Sequence, residues 1–192
     1  MAATTEAISA EGRVRNGEFK ELTEKTRYLL EIKNTDEMSK RLFDIVINNN
    51  VQIYEKFCKL VENDLSVDWL QKIFQYYQAD RKEKMQDYTP KSLADFIGLL
   101  AGESKTIIDM CAGSGALTIQ KWNRNHDLNF ILYEFDENVI PFLLFNMVLR
   151  NIKCKVYHSD VLQGEIFHTY EISHGDKYGI FKEADNGNSV NF

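Results

Sequence analysis

Nine consecutive residues, Ile107-Ile108-Asp109-Met110-Cys111-Ala112-Gly113-Ser114-Gly115, constrain this chain more than any other stretch. A short apolar run closes on an acid, and two glycines follow. Ala116 to Arg124 then carries helical spacing. The pattern predicts a buried strand over Thr106–Asp109, a tight turn and a helix over 116–124. Glycine at 113 and 115 allows a sharp bend and a close approach of backbone to a ligand, where a Cβ would collide.

The flanking sequence repeats the unit. Asn129 to Tyr133 reads as a second strand, closed by Glu134-Phe135-Asp136, and Val139 to Arg150 as the next helix. Cys154 to Tyr157 reads as a third strand, with Asp160 just beyond it. Strands alternating with helices imply a parallel sheet with right-handed crossovers. Further on, Ile166–Ile172 and Tyr178–Phe181 suit a hairpin turning through Ser173-His174-Gly175-Asp176. The fold class expected is α/β, with a Rossmann-like sheet preceded by a small all-helical module.

Residues 1–18 are polar and charged and read as a flexible start. Residues 19–80 carry helical periodicity, with Met38, Leu42, Ile45, Val46, Ile53 and Phe57 on buried faces. Asn48-Asn49-Asn50 reads as a turn, and Ser66 as the cap of a helix burying Leu70, Ile73 and Phe74. The charged run Asp80 to Lys84 marks the joint, so that 81–192 forms the α/β part. There Thr89 caps, and Pro90 starts, a helix burying Leu93, Phe96, Ile97 and Leu100 and ending at Gly102.

Bulk properties narrow the function. The formal net charge is -6, which argues against strong nucleic-acid binding by this chain alone. Cys58, Cys111 and Cys154 form neither a metal-ligand spacing nor a disulfide framework, and a cytoplasmic setting is expected. The four histidines show no ligand spacing either, so no metal is expected. No apolar run is long enough to span a membrane, and Met1-Ala2-Ala3-Thr4-Thr5 lacks the order of a signal peptide.

The strand ends carry the chemistry. In a parallel sheet Asp109, Glu134 and Asp160 fall on one edge, where open α/β sheets bind ligands. A dinucleotide fingerprint needs a third small residue where Thr118 stands, and pyrophosphate is poorly served by an acid at the first strand end. A nicotinamide dehydrogenase is therefore disfavoured. Carboxylates suit a cationic ligand, and the amino group and sulfonium of S-adenosylmethionine are such a target. Glu134 could accept from both ribose hydroxyls, with Asp136 as a rival. Asp160 could accept from the adenine amino group, with Val161 and Leu162 or Ile140 and Pro141 walling the ring. Cys111 lies in the turn beside the cofactor, where a small packing residue also explains it.

Gln86-Asp87-Tyr88-Thr89-Pro90, Asp109 to Gly115, Tyr133-Glu134 and Ser159-Asp160 together resemble the N6-adenine DNA methylases. The similarity is nearest to the modification subunit of type I restriction–modification systems, and it spans about Gln86 to Leu162. The resemblance implies that Tyr88, Thr89 and Pro90 contact the methionine end of S-adenosylmethionine. It further implies that Asp109, Gly113 and Gly115 hold the amino acid portion, Glu134 the ribose and Asp160 the adenine. Asn146 fits the family pattern with a more structural part.

One departure is large. The family positions a flipped adenine with an Asn/Asp/Ser-Pro-Pro-Tyr/Phe element. This sequence has no Pro-Pro, and its prolines are Pro90 and Pro141. No catalytic residue is therefore assigned; the expectation is a truncated domain that captures cofactor without transferring methyl. DNA would be met only in a completed complex with a partner subunit or a second copy. A non-catalytic assembly or scaffold module is the alternative. In the family's strand order the first strand is central, so its far edge should be capped by residues 164–192, completed by a partner, or left as a source of instability.

Overall fold

The computed structural model describes residues 19–77, 96 and 104–184. The flexible start, the joint at 80–84, Tyr88, Thr89, Pro90, Leu93, Ile97, Leu100 and Gly102 lie outside them. Phe96, expected on a buried face, is helical and 56% exposed.

Four helices open the described chain: α1 (19–30), α2 (Met38–Ile47), α3 (Val51–Leu60) and α4 (Trp69–Tyr77). The Asn48–Asn50 turn forms as its composition dictates. Asn49 takes a positive φ of 45°, which asparagine tolerates, and the Asn50 side chain accepts from the Ile53 amide to cap α3. The cap of α4 is a correction. Asp68, not Ser66, occupies the N-cap position, accepting from the Gln71 amide at 3.0 Å. Ser66 donates its hydroxyl to Asp64 instead.

The α/β part follows as β1 (Thr106–Asp109), α5 (Ala116–Arg124), β2 (Asn129–Glu134), α6 (Ile140–Leu149), β3 (Cys154–Asp160), β4 (Glu165–Ser173) and β5 (Ile180–Ala184). The sheet order is β1-β2-β3-β4-β5. β1, β2 and β3 run parallel, with Asp109 opposite Leu132 and Glu134 opposite His158. β4 and β5 pair antiparallel, so the sheet is mixed rather than wholly parallel. The expected hairpin forms, but it extends the sheet beyond β3 and does not cap β1. Among the described residues β1 is an edge strand, with Ile108 60% exposed.

Every residue of α6 is buried. It is apolar on all sides because it is enclosed on all sides. The Phe145 ring meets Tyr54 and Phe57 of α3 edge-on, and Phe142 meets Phe74 of α4. Phe43 of α2 reaches Tyr170 and Phe181 of the hairpin strands. One apolar core thus runs from Leu30 to Tyr178 and joins the helical segment to the sheet. Truncating Phe145 to Ala should destabilise the fold by about 3–5 kcal/mol, whereas Ile108→Ala at the open edge should cost under about 1 kcal/mol. Urea unfolding of the two variants measures the contrast.

Candidate functional site

The parallel run of β1, β2 and β3 brings their carboxyl ends to one rim of the sheet. Asp109 closes β1, Glu134 closes β2 and Asp160 closes β3, each half-buried. The three acids are therefore grouped along the edge where ligands bind in this architecture.

The turn after β1 folds around two left-handed glycines. Gly113 has φ +56° and Gly115 φ +95°, conformations that a side chain resists. The two differ in their surroundings. A Cβ on Gly115 would lie 2.8 Å from Met147 Cε and 3.0 Å from Leu143 Cδ1, so its bareness serves packing against α6. A Cβ on Gly113 would meet nothing within 4 Å among the described residues. Gly113 borders open space at the rim, where a ligand can lie against bare backbone.

Glu134 holds this turn to β2. Its Oε2 accepts from the Gly113 amide at 2.8 Å, and its Oε1 accepts from the amides of Phe135 at 2.9 Å and Asp136 at 2.8 Å. A carboxylate oxygen has room for about two acceptor bonds. Oε1 is filled, so the grip on two ribose hydroxyls expected from sequence has one open position, on Oε2. The Ala112 amide also donates to the Tyr133 carbonyl, at 2.9 Å. The turn and the end of β2 are thus tied together twice.

Asp109 accepts from the Cys111 amide through Oδ1 at 3.2 Å. Burial pushes its carboxyl pKa up, the Cys111 amide opposes the rise, and the Glu134 charge adds to it. A cation placed at the rim would relieve both the burial and the repulsion between the two acids. The linkage has a definite sign. A folded pKa above the unfolded one means that stability falls as pH rises between the two values, and the penalty persists above them. Asp109→Asn should therefore raise the melting temperature at pH 7, and the gain should shrink as pH falls into the range where Asp109 protonates. Thermal melts across that range test it.

Asp160 occupies the last position of β3 and sets the turn into β4. Its Oδ1 accepts from the Leu162 and Gln163 amides. Val161 is half-buried beside it, and Leu162 is 91% exposed. Asp136 caps its own turn through Asn138, and its carbonyl accepts from the Val139 and Ile140 amides at the entry to α6. Cys111 is exposed at the bend. Ile140 and Pro141 are buried at the start of α6. Tyr88, Thr89 and Pro90 lie outside the described residues; among the described residues the structure brings together the three rim acids and the glycine turn.

Asn146 lies behind the turn, 1% exposed, and donates to the Ser114 carbonyl at 2.9 Å. Two further residues of this region escaped the reading of the sequence. Asp68 accepts from Asn146 at 3.0 Å, and Arg150 donates to the Asn146 side-chain oxygen at 2.8 Å. The spacing of Asp68 to Gln71 was a usable capping signal; nothing local marks Arg150.

Among the described residues no group of three or more His, Cys, Asp or Glu is placed to hold a metal, and no helix is long and apolar enough to cross a membrane. The family model described as N-6 DNA Methylase matches residues 61–175, which takes in the glycine turn, all three rim acids, Asp68 and Arg150. No curated relative and no solved structure matches the chain.

Proposed function

Because the chain belongs to the N-6 DNA methylase family, we propose that its rim binds S-adenosyl-L-methionine as the methyl donor for adenine N6 in DNA. The observation that carries this reading is the space over Gly113, open among the described residues, at the rim that Asp109 and Glu134 share. When bound, the donor supplies an electrophilic methyl group on a positively charged sulfur. The residues present suit such a molecule: carboxylates for its cationic end and bare backbone for its close approach.

Each residue then has a task. Asp109 attracts the cationic amino acid portion, and its raised pKa falls as that charge arrives. Glu134 fixes the Gly113 amide and offers its remaining Oε2 position to a ribose hydroxyl. Asp160, with Val161, borders the adenine end, and Cys111 and Asp136 flank the pocket. For Tyr88, Thr89 and Pro90 the contact with the methionine end is what the family resemblance implies. In the complete enzyme, alignment of donor and adenine lowers the barrier by holding the reacting atoms in line.

This chain has no Pro-Pro element to receive a flipped adenine. We infer that this chain captures donor and that methyl transfer needs an adenine-binding element from elsewhere. The setting that fits is a restriction–modification system in the cytoplasm, with the chain acting as part of its modification subunit. A partner subunit or second copy would complete the sheet at β1, where Ile108 is exposed, and DNA would be engaged by that assembly.

Incubating the chain with tritiated donor and an adenine-containing duplex tests both halves. The expected result is retention of label on the protein with none on DNA. Label on DNA from this chain alone would refute the second half, and no retention would refute the first.

A further inference from the structure

We propose that Asp68 is a positioning residue for the donor pocket, acting through Asn146 on the Ser114 carbonyl in the glycine turn. The inference rests on the reading of the rim as a donor site and extends it to a segment far from the rim. Asn146 spends its whole side chain on three partners. One amide hydrogen goes to Asp68 Oδ1 at 3.0 Å and the other to the Ser114 carbonyl at 2.9 Å. Its oxygen accepts from Arg150 Nη1 at 2.8 Å.

Only one orientation of the amide satisfies all three. Reversed, its oxygen would face two acceptors and its NH2 would face a guanidinium. Arg150 in turn donates to the Leu65 carbonyl at 2.9 Å and the Val67 carbonyl at 2.8 Å. The segment 65–68, the interior of α6 and the glycine turn are therefore linked by one hydrogen-bond network centred on Asn146. Gln120 and Asn123 of α5 also hold this segment, through the Ser66 carbonyl rather than through Asn146.

Asp68 is 5% exposed, and its Oδ2 is buried with no partner. An apolar residue would avoid that cost, and Ser, Thr or Asn would cap α4 as well. A carboxylate does what they cannot: it strengthens the Asn146 hydrogen bond by its charge and offsets the buried charge of Arg150. Removing it frees Asn146 to turn and leaves the Ser114 carbonyl unheld.

The experiment uses the full chain and the variants Asp68→Ala, Asp68→Asn and Asn123→Ala, at a temperature where circular dichroism shows each folded. Amide hydrogen exchange at Gly113 and Gly115 is measured without ligand, then affinity for S-adenosyl-L-homocysteine by calorimetry. Asp68→Ala should speed exchange at the turn and weaken binding, each about tenfold. Asp68→Asn should recover part of both, and Asn123→Ala should change neither. Unaltered exchange in folded Asp68→Ala overturns the proposal, as does faster exchange with unaltered affinity. If the native chain binds no nucleoside while exchange responds as expected, the donor reading falls and the coupling of segment to turn stands. Should Asp68→Ala fail to fold, Asp68→Asn carries the same two readouts.

Discussion

Replacing Arg150 with alanine should destabilise the protein by about 3–5 kcal/mol, the loss expected when one partner of a buried charged network is removed. Its side chain is 4% exposed and makes hydrogen bonds to the carbonyls of Leu65, Val67 and Asn146 and to the Asn146 side chain. Alanine would take a donor from the half-buried carbonyls of Leu65 and Val67 and from the buried Asn146 side-chain oxygen, and would leave Asp68 without a compensating charge. Burial pushes the guanidinium pKa down to about 10, and the Asp68 charge opposes that fall. The group stays protonated at neutral pH, so protonation offers no escape from the cost. Lysine should not rescue it, since a single ammonium cannot reach three separated acceptors with the geometry of a planar fork. Urea unfolding measures the effect; a loss under about 1 kcal/mol would mean that the network is dispensable.

Gly113→Ala should separate binding from stability. The left-handed backbone makes alanine there cost about 1–2 kcal/mol of stability, with no added clash because the space beyond is open. A methyl group in that space would instead meet the ligand. Overpacking of a close contact costs about 1–3 kcal/mol, so affinity should fall by about tenfold to a hundredfold. Gly115→Ala is the informative counterpart. Its Cβ would press on Met147 and Leu143, and its φ is +95°. Melting temperature should fall further in that variant. Calorimetric affinity and thermal melts on both variants test the division: the same order of stability loss at the two positions would remove the distinction.

The elements with short-range causes were readable from the residues. β1 and α5 have the bounds that the acid, the two glycines and the helical spacing imply. The hairpin was visible from its turn residues. β3 runs three residues past Tyr157, because Ser159 and Asp160 pair with Ile166 and Glu165 across a bulge that follows His158. Pairing with a strand downstream is a tertiary cause, and a His-Ser-Asp string does not announce it. The side of the sheet to which the hairpin attaches has the same tertiary cause, and of the three outcomes expected for the far edge of β1, capping by this hairpin does not occur.

The rim acids were legible as a group because strand ends in a parallel sheet share an edge. What each carboxylate does was less so. Two glutamate oxygens invite a two-hydroxyl grip, yet the amides of Gly113, Phe135 and Asp136 already claim most of Glu134. Arg150 was the least accessible. A basic residue at a helix end ordinarily lies in solvent and faces the helix dipole. Here two of its acceptors, the Leu65 and Val67 carbonyls, are more than 80 residues away in the chain.

Whether the edge beside Gly113 is a nucleoside pocket decides what this protein does. Titrating S-adenosyl-L-methionine into the native chain and into Gly113→Ala, in one calorimeter at one temperature, addresses it most directly. The prediction is saturable binding at one site per chain, weakened at least tenfold by the added methyl group while the variant remains folded. No heat from the native chain, or equal affinity in the two, would contradict it.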